Sequence, residues 1–408
     1  MNSQHALVPG VNQIWIKGEI VTLMQNPADN NEAEETAKIM VDYIRQGEKA
    51  AYELANRGPI KFGADGCLDP DILEAYWRYG FYVLEGVVDD LELADLRADI
   101  EKVLTAAPVE PEAEVDALGR PALNLQFEKP VFRFTKPLSD PLGGTDLNNG
   151  RHPVKMLTPK ARTDAPEWTV SLLDGNLQIM DSALRLAGHS GLLKVAEAIC
   201  GPDFVPYTDV TFIKEPGLGP SVAWHQDGST HWNSADWDEG AHGFNSMTQL
   251  YPSTAENCVW VLPGSHKLGK ADIKAMVAKS GSERIESAIP MVCKAGDVIL
   301  MNRQLVHGSF ANTSPHRRVT VNSGFFAKKK VLNVTTKLLS GVVTTFDEAR
   351  IARRSRIIAL AIDARQQKYP KEPRYSYEPF VGQEDENRWH EKNRQKLLKN
   401  YNLDNMYI

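Results

Sequence analysis

Between residues 204 and 326, short apolar runs alternate with turn-forming residues along the chain. The runs read SVAWHQD, MTQLYPS, NCVWVLPGSH, AGDVILMN and RRVTVNSGFF, and glycine, proline and asparagine recur between them. Strands that are short, regularly spaced and divided by such residues are typical of an antiparallel sandwich or barrel. We therefore predict a mainly β core in this part of the chain.

Helical patterns flank this core. Residues 30–57 are rich in alanine, glutamate and lysine, carry apolar side chains at helical spacing, and end before a Gly-Pro pair. Residues 89–104 show an amphipathic pattern, and residues 179–200 return to helical spacing. The fold class predicted from the pattern is therefore a mainly β core with flanking helices. The apolar side of the helix at 89–104 would comprise Leu91, Leu93, Leu96 and Ile100.

The same patterns divide the chain into three parts. We predict a helical N-terminal arm at residues 1–60, a core domain at residues 61–330 and a helical C-terminal extension at residues 331–408. The extension contains an amphipathic stretch at residues 348–366, which would pack either on the core or on a second subunit. Because long terminal arms often serve assembly, we favour the second subunit and expect a homo-oligomer formed through the terminal arms.

Residues 105–165 interrupt the alternation of helices and strands. This segment, called the excursion below, carries many of the prolines of the chain and the turn-rich run SDPLGGTDLNNGRHP. Loops of this length inside a compact domain are usually functional or mobile. We therefore expect an irregular segment that acts as a lid.

Composition and charge narrow the class of partner and the compartment. The net charge is −7, from 46 basic and 53 acidic residues, which argues against a nucleic-acid partner because such proteins normally present a basic face. No apolar run reaches the about 18 residues of a membrane span, and no signal-peptide pattern opens the chain. The four cysteines are far apart, and three lie in apolar surroundings. These features predict buried free thiols and a cytoplasmic location.

The run WHQDGST carries the first candidate chemistry. Side chains at i and i+2 of a strand share one face, so His225 and Asp227 would converge on one point. Among the other histidines, His307 differs by following a strand pair and preceding Gly308-Ser309, where rigid β structure would hold it. Two imidazoles and one carboxylate with open positions form the ligand set of non-haem Fe(II) oxygenases. Catalytic zinc remains a competitor, although the helical His-Glu-x-x-His signature is absent from the sequence.

A cationic position follows in the strand VTVNSGFF. Alternation places Arg318, Thr320 and Asn322 on one face of this strand. A guanidinium beside hydroxyl groups suits a carboxylate, because its planar fork can pair with both oxygens. An oxygenase co-substrate with one chelating end and one distal carboxylate requires such an anchor, and 2-oxoglutarate is a molecule of this kind.

From about Tyr79 to Phe326 the chain resembles the phytanoyl-CoA dioxygenase family of Fe(II)/2-oxoglutarate-dependent oxygenases. The resemblance rests on the ordered runs YGFYVLEGVVDD, FIKEPG before WHQD, ENCVWVLPGSHKLG, GDVILMNRQLVHGS, and RR before a strand. It implies a double-stranded β-helix (jelly-roll, cupin-like) core with helical N-terminal and C-terminal extensions. The resemblance further implies the iron ligands His225, Asp227 and His307, a 2-oxoglutarate anchor at Arg318, and co-substrate contacts at Ser309 and Gln226.

The resemblance also implies a reaction class. Fe(II), 2-oxoglutarate and O₂ would together hydroxylate an unactivated C–H bond of a small organic metabolite and release succinate and CO₂, with ascorbate helpful in vitro. The carboxylate at 227 favours hydroxylation, desaturation or ring formation over halogenation, for which relatives carry a small residue at this ligand position. A zinc-dependent hydrolase and a non-catalytic relative of the fold remain as alternatives.

The loop after Asp227 supplies the candidates for substrate binding. His231, Trp232 and Trp237 have aromatic rings with polar tips, which suit the wall of a pocket for a small amphipathic molecule. The alternative is that the two tryptophans only close this loop onto the core.

Overall fold

The computed structural model of the protein describes residues 13–16, 19–22, 27–338 and 341–406, and within these the side chains from residue 38 onward except at positions 208 and 404. The predicted N-terminal arm covers residues 1–60, and most of its residues before 27 lie outside the described residues. The helices are α1 (Pro27–Glu53), α2 (Pro70–Tyr79), α3 (Asp90–Thr105), α4 (Asn176–Ile179), α5 (Asp181–Ala187), α6 (Ser190–Cys200), α7 (Ile273–Ser280), α8 (Lys328–Val331), α9 (Glu348–Lys368) and α10 (Glu391–Leu398).

The strands are β1 (Gln13–Ile16), β2 (Glu19–Thr22), β3 (Arg57–Gly58), β4 (Phe81–Leu84), β5 (Phe132–Thr135), β6 (Thr169–Asp174), β7 (Val205–Lys214), β8 (Val222–His225), β9 (Phe244–Gln249), β10 (Trp260–Val261), β11 (Ile289–Pro290), β12 (Val298–Asn302), β13 (His307–Ser309), β14 (Arg318–Phe326), β15 (Thr335–Lys337) and β16 (Val343–Thr345).

Two sheets form the core. The large sheet has eight strands in the order β3-β4-β12-β9-β14-β7-β6-β5, and the small sheet has four in the order β11-β10-β13-β8. One cavity is lined by side chains from both sheets, so the sheets face each other across it. Within the described residues they remain two separate sheets and do not close into a barrel. The predicted mainly β core with flanking helices is confirmed.

Strand β14 lies in the middle of the large sheet, between β9 and β7. Its sequence RVTVNSGFF is rich in β-branched and aromatic residues, which suit a pleated and covered surface. A register shift between Ser323 and Phe325 brings the ring of Tyr207 against Gly324. A Cβ at Gly324 would lie 1.4 Å from that ring, so only glycine leaves room for Tyr207 at this point.

Helix α3 follows the predicted amphipathic pattern with one difference. Asp89 caps it by accepting a hydrogen bond from the backbone N–H of Glu92. Leu93, Leu96 and Ile100 are buried, whereas Leu91 is 79% exposed. Leu91 lies in the first turn of the helix, ahead of the face that packs on the core.

Helix α9 occupies a different place from the one we favoured. Its five large aliphatic residues are all buried within the same chain, and the helix packs against α5 and β7. The expectation that this apolar face binds a second subunit is wrong, because the face is already covered by the core. The buried aliphatic residues of α9 are Ile351, Ile357, Ile358, Leu360 and Ile362.

The excursion is irregular apart from β5 and short turns, as the composition predicts. Asp140 anchors its middle by accepting hydrogen bonds from the backbone N–H groups of Gly143 at 2.9 Å and Met156 at 2.7 Å. Between these two anchors the chain runs along the cavity and contributes to its wall.

Cys67 is exposed and Cys200, Cys258 and Cys293 are buried, all four as free thiols. The described part of the chain contains no helix that could span a membrane.

Candidate metal centre

The three predicted metal ligands meet at one end of the cavity. β8 ends at His225 and β13 begins at His307, and the two histidines are cross-strand partners with ring centroids 4.0 Å apart. Asp227 follows β8 directly, and its backbone N–H donates to the carbonyl oxygen of Arg303 at 2.8 Å. One side-chain ligand atom from each of the three residues lies within 4.8 Å of the others.

Both histidines are held in the tautomer that suits a metal ligand. The Nδ1 atom of His225 lies 2.8 Å from the carbonyl oxygen of Ala223, and that of His307 lies 2.8 Å from the carbonyl oxygen of Leu305. Because a carbonyl oxygen only accepts, each Nδ1–H donates and each Nε2 keeps its lone pair for a cation. Burial lowers the pKa of both imidazoles, so both are neutral at neutral pH.

Asp227 supplies the negative charge of the centre. Its Oδ1 lies 3.7 Å from Nε2 of His225 and 3.2 Å from Nη1 of Arg151. Its Oδ2 accepts a hydrogen bond from Nδ2 of Asn245 at 3.3 Å and lies 3.6 Å from Nε of Arg303. Burial by itself would raise the pKa of Asp227, but Arg151 and Arg303 more than offset it and keep the carboxylate ionised. Two neutral imidazoles and one carboxylate fit a divalent iron site.

Two buried basic side chains lie on the large-sheet side of the same cavity. Lys214 of β7 and Arg318 of β14 are directly opposite each other, and each is 2% exposed. Nη1 of Arg318 donates to the carbonyl oxygen of Asn257 at 2.8 Å, and Nζ of Lys214 donates to that of Phe310. Among the described residues neither cation has a carboxylate partner.

Electrostatics favours an anion beside this pair of basic side chains. Like charges directly opposite each other on paired strands repel, and burial strengthens the repulsion. Burial lowers the pKa of Arg318 to about 10, so the guanidinium is still protonated at neutral pH. Burial and Arg318 lower the pKa of Lys214 well below its ordinary value.

Three buried polar atoms in this region lack a hydrogen-bond partner within the described chain. They are Nε of Arg318, Oγ of Ser309 and Oδ1 of Asn322, and all three residues line the cavity. Buried polar groups are normally satisfied. The Nε–H of Arg318 and the hydroxyl group of Ser309 can donate to the oxygen atoms of a ligand, whereas Oδ1 of Asn322 requires a hydrogen-bond donor. Ser309 therefore lies where a co-substrate contact was expected.

Two other expected co-substrate residues are directed elsewhere. Thr320 donates its hydroxyl to Oε1 of Gln249 at 2.8 Å, and it is absent from the cavity wall. The amide of Gln226 is engaged by its neighbours: Nε2 donates to the carbonyl oxygens of Gly269 and Gln304, and Oε1 accepts from the N–H of Ala271. The structure thus brings Arg318 and Ser309 to the cavity, and it does not bring Thr320 or Gln226 there.

The three expected substrate residues lie in a loop that packs on itself. Nε1 of Trp232 donates to the carbonyl oxygen of Gly228 at 3.0 Å, and its ring lies 4.4 Å from that of His242. Nε2 of His231 lies 2.9 Å from the carbonyl oxygen of Lys330. Neither residue lines the cavity of the metal ligands, nor does Trp237. Trp232 lines a neighbouring cavity instead.

The excursion contributes the side chains that sequence reasoning missed. His152 is 1% exposed, and its ring lies 4.2 Å from that of His225. Burial, with Arg151 adding to it, lowers the pKa of His152 to about 3. The dipeptide Arg151-His152 was visible as a basic step in a turn-rich run, and Lys214 as a lysine inside an apolar strand. Neither pattern indicated that these side chains would line the cavity.

The cavity that joins these groups has a volume of about 320 Å³. Most of its wall is apolar, with contributions from both sheets and from the excursion, and the polar groups described above also line it. A mostly apolar cavity with a few convergent polar groups is typical of a small-molecule site. Apolar members of the wall include Phe134, Leu142, Leu172, Val210, Phe212 and Met247.

Comparison with known proteins agrees with this geometry. The family model of phytanoyl-CoA dioxygenase matches residues 76–320. The chain is 24% identical over 278 residues to phytanoyl-CoA dioxygenase domain-containing protein 1 of Bos taurus, which covers 62% of this chain and 88% of that protein. It is 29% identical over 116 residues to phytanoyl-CoA dioxygenase 1 of Oryza sativa subsp. japonica, where the match spans only 38% of the relative.

Similarity to other oxygenases is lower. Ectoine dioxygenase of Bordetella parapertussis is 21% identical over 315 residues, covering 71% of this chain and 87% of that protein. The solved structure of EctD from S. alaskensis with 2-oxoglutarate and 5-hydroxyectoine matches with a TM-score of 0.44 and 19% identity, over 68% of this chain and 82% of that one. Because the family model matches more than half of the chain, the protein belongs to the phytanoyl-CoA dioxygenase family of 2-oxoglutarate-dependent non-haem iron dioxygenases.

Proposed function

We propose that this dioxygenase hydroxylates an unactivated C–H bond of a small organic metabolite, with release of succinate and CO₂. One observation carries the proposal: the side chains of His225, Asp227 and His307 and the buried basic pair of Lys214 and Arg318 line the same mostly apolar cavity. The first group suits a divalent metal, and the second suits the distal carboxylate of a keto diacid.

His225, Asp227 and His307 would hold the iron. Ferrous iron with 2-oxoglutarate supplies the oxidising power, because O₂ gives one oxygen atom to succinate and one to the hydroxyl group of the product. The hydrogen bonds from the two Nδ1–H groups fix the imidazole rings, so that both Nε2 atoms are aimed without further reorganisation. Asn245 and Arg303 hold Oδ2 of Asp227 and so orient the third ligand.

Arg318 would bind the distal carboxylate of 2-oxoglutarate. Its Nε–H has no partner in the described chain, whereas its Nη1 is fixed by the carbonyl oxygen of Asn257. Lys214 stands opposite on β7, and the hydroxyl group of Ser309 lies two residues beyond the ligand His307. These groups can donate hydrogen bonds to a carboxylate, and their burial excludes water that would weaken those bonds.

The presence of a carboxylate at position 227 supports hydroxylation over halogenation. The residues around the metal end are buried, so they exclude bulk water and limit the reaction to the bound substrate. Desaturation and ring formation would use the same residues, so the identity of the product distinguishes these reactions.

The experiment is a screen of small metabolites that measures succinate release with Fe(II), ascorbate and 2-oxoglutarate. We expect release that requires O₂, together with a product that is 16 mass units heavier than its substrate. Asp227→Ala should abolish hydroxylation and leave the fold intact, whereas Asp164→Ala, a change at an exposed position of the excursion, should leave it unchanged. Hydroxylation by Asp227→Ala at the normal rate would disprove the ligand assignment, and activity without O₂ or 2-oxoglutarate would indicate a hydrolase.

A further inference from the structure

Arg151 approaches the metal end of the cavity from the excursion. Its Nη1 lies 3.2 Å from Oδ1 of Asp227, and its side chain is 26% exposed. Its Nε is buried and has no hydrogen-bond partner among the described residues. The neighbouring His152 is almost fully buried, and its Nδ1 also lacks a partner. Two adjacent residues thus present unsatisfied nitrogen atoms beside the metal ligands.

The charges on the cavity wall do not balance. Asp227 is the only carboxylate among the described residues that line it, against the guanidinium groups of Arg133, Arg151, Arg303 and Arg318 and the amine of Lys214. Asp174 pairs with Arg133 from outside the wall, at 2.8 Å. A divalent ion and a 2-oxoglutarate dianion would add no net charge. The occupied cavity would therefore keep an excess of positive charge, from Arg151, Arg303 and Arg318 against Asp227.

Arg151 is the cation whose positive charge is least compensated by other groups of the site. Arg303 is buried under the rings of Tyr207 and Phe326 and donates to the carbonyl oxygen of His242, so its place in the fold is structural. Lys214 and Arg318 are assigned to the co-substrate. Arg151 has only a share of Asp227, which a metal ion would also claim, and a guanidinium in that position favours a second anion.

Resting on the proposed function, we propose that the substrate is an amphipathic monocarboxylic acid whose carboxylate is bound by Arg151 and His152. Arg151 supplies the positive charge and Nε–H, and the partnerless Nδ1 of His152 supplies one further hydrogen bond. The apolar wall formed by β5, β6 and β7 accommodates the hydrocarbon part. The carboxylate is thereby fixed next to the metal ligands, which sets the distance from the anchored end to the C–H bond that reacts.

The test compares straight-chain acids of four to eight carbons with their primary amides. The full-length protein is loaded with Mn(II), a redox-inactive substitute for Fe(II), and with saturating 2-oxoglutarate, and the dissociation constants are measured by calorimetry. The variants are Arg151→Gln and Arg151→Lys, with Arg162→Gln as the matched control. Arg162 belongs to the same excursion but pairs with Asp164 at the surface. Repeating each titration at tenfold higher 2-oxoglutarate identifies acids that merely compete for the co-substrate site.

We expect the wild-type protein and Arg162→Gln to bind at least one acid about tenfold or more tightly than its amide. Arg151→Gln should bring this ratio close to one, and Arg151→Lys should retain part of it. A structural anchor would instead weaken acid and amide equally. Failure of every acid to bind, equal binding of acid and amide, or an unchanged ratio in Arg151→Gln would overturn the proposal. The proposed function fails separately, through absent succinate release in the Fe(II) form.

Discussion

Lys214 and Arg318 lie directly opposite each other on adjacent antiparallel strands, and both are almost completely buried. The described chain offers neither of them a carboxylate. Such a pair lowers the stability of the folded protein, because burial and the Arg318 guanidinium both oppose protonation of the Lys214 amine. A bound carboxylate removes that cost, so stability and co-substrate binding should be coupled at these two residues.

The first prediction concerns this coupling. Lys214→Met should raise the melting temperature in the absence of 2-oxoglutarate, because burial and Arg318 disfavour the protonated amine at this position and methionine needs no counter-ion. The same change should weaken 2-oxoglutarate binding by about tenfold or more, because a charge-assisted hydrogen bond is lost. Thermal unfolding with and without 2-oxoglutarate measures both effects. A lower melting temperature with unchanged co-substrate affinity would show that Lys214 is only a structural residue.

Arg318→Gln tests the anchor itself. We expect the Michaelis constant for 2-oxoglutarate to rise by about one hundredfold, because the guanidinium contributes charge and more than one donor to the distal carboxylate. Arg317→Gln is the neighbouring control, since Arg317 pairs with Glu215 and Glu101 outside the cavity wall. If the Michaelis constant rose similarly in both variants, the effect would come from the general electrostatic field and not from a contact made by Arg318.

Asn245 tests how the metal ligand is oriented. Its Nδ2 donates to Asp227, and its Oδ1 accepts the hydroxyl hydrogen of Tyr207 at 2.6 Å. Asn245→Leu should weaken Fe(II) or Mn(II) binding by about tenfold to one hundredfold, because residues behind a metal ligand fix its geometry. Calorimetric metal titration of the apoprotein measures the change, with circular dichroism as a check that the fold is kept. Unchanged metal affinity would assign the orientation of Asp227 to Arg303 alone.

Asp140 tests whether the excursion acts as a lid. Asp140→Ala removes the acceptor for the N–H groups of Gly143 and Met156, so the segment between them should open. We expect faster proteolytic cleavage within residues 141–155 and a higher ratio of succinate to hydroxylated product, because water reaches the metal end more easily. Asp146→Ala changes an exposed acid of the same segment that makes no capping hydrogen bond, and it should have neither effect. Equal cleavage of the two variants would contradict a closing role.

We predict that the buried imidazole of His266 makes the protein less stable as the pH decreases. Burial lowers the pKa of this imidazole to about 4, whereas the unfolded chain has the ordinary value near 6.5. The unfolded state therefore binds more protons below about pH 6.5, and the free energy of unfolding falls as the pH decreases toward 4, by up to about 1.4 kcal/mol per pH unit. Urea unfolding between pH 7.5 and 4.5 measures this slope. His266→Gln should flatten it, and an unchanged slope would assign the effect to other buried histidines.

Local patterns in the sequence determined much of the fold. Short alternating runs predicted the strands of the core, and helical spacing predicted α3 and α9, because one covered face imposes a period on each element. The spacing of His225 and Asp227 was also a local signal, since neighbours two apart at a strand end are directed to the same side. The resemblance to a known family assigned roles to His307 and Arg318 from the order of short runs along the chain.

Other features depended on which distant segments meet. The cross-strand register placed Lys214 beside Arg318, and the path of the excursion placed Arg151 and His152 over the metal ligands. The core covers the apolar face of α9, and the loop around Trp232 packs away from the cavity of the metal ligands. Both findings changed an expectation from the sequence, because both depend on contacts between distant segments. The sequence by itself indicated many strands of the core, helices α3 and α9, and the convergence of His225 with Asp227, because these follow from near neighbours. Only the tertiary structure decided which charges share the cavity, because that depends on pairing between residues far apart in the chain.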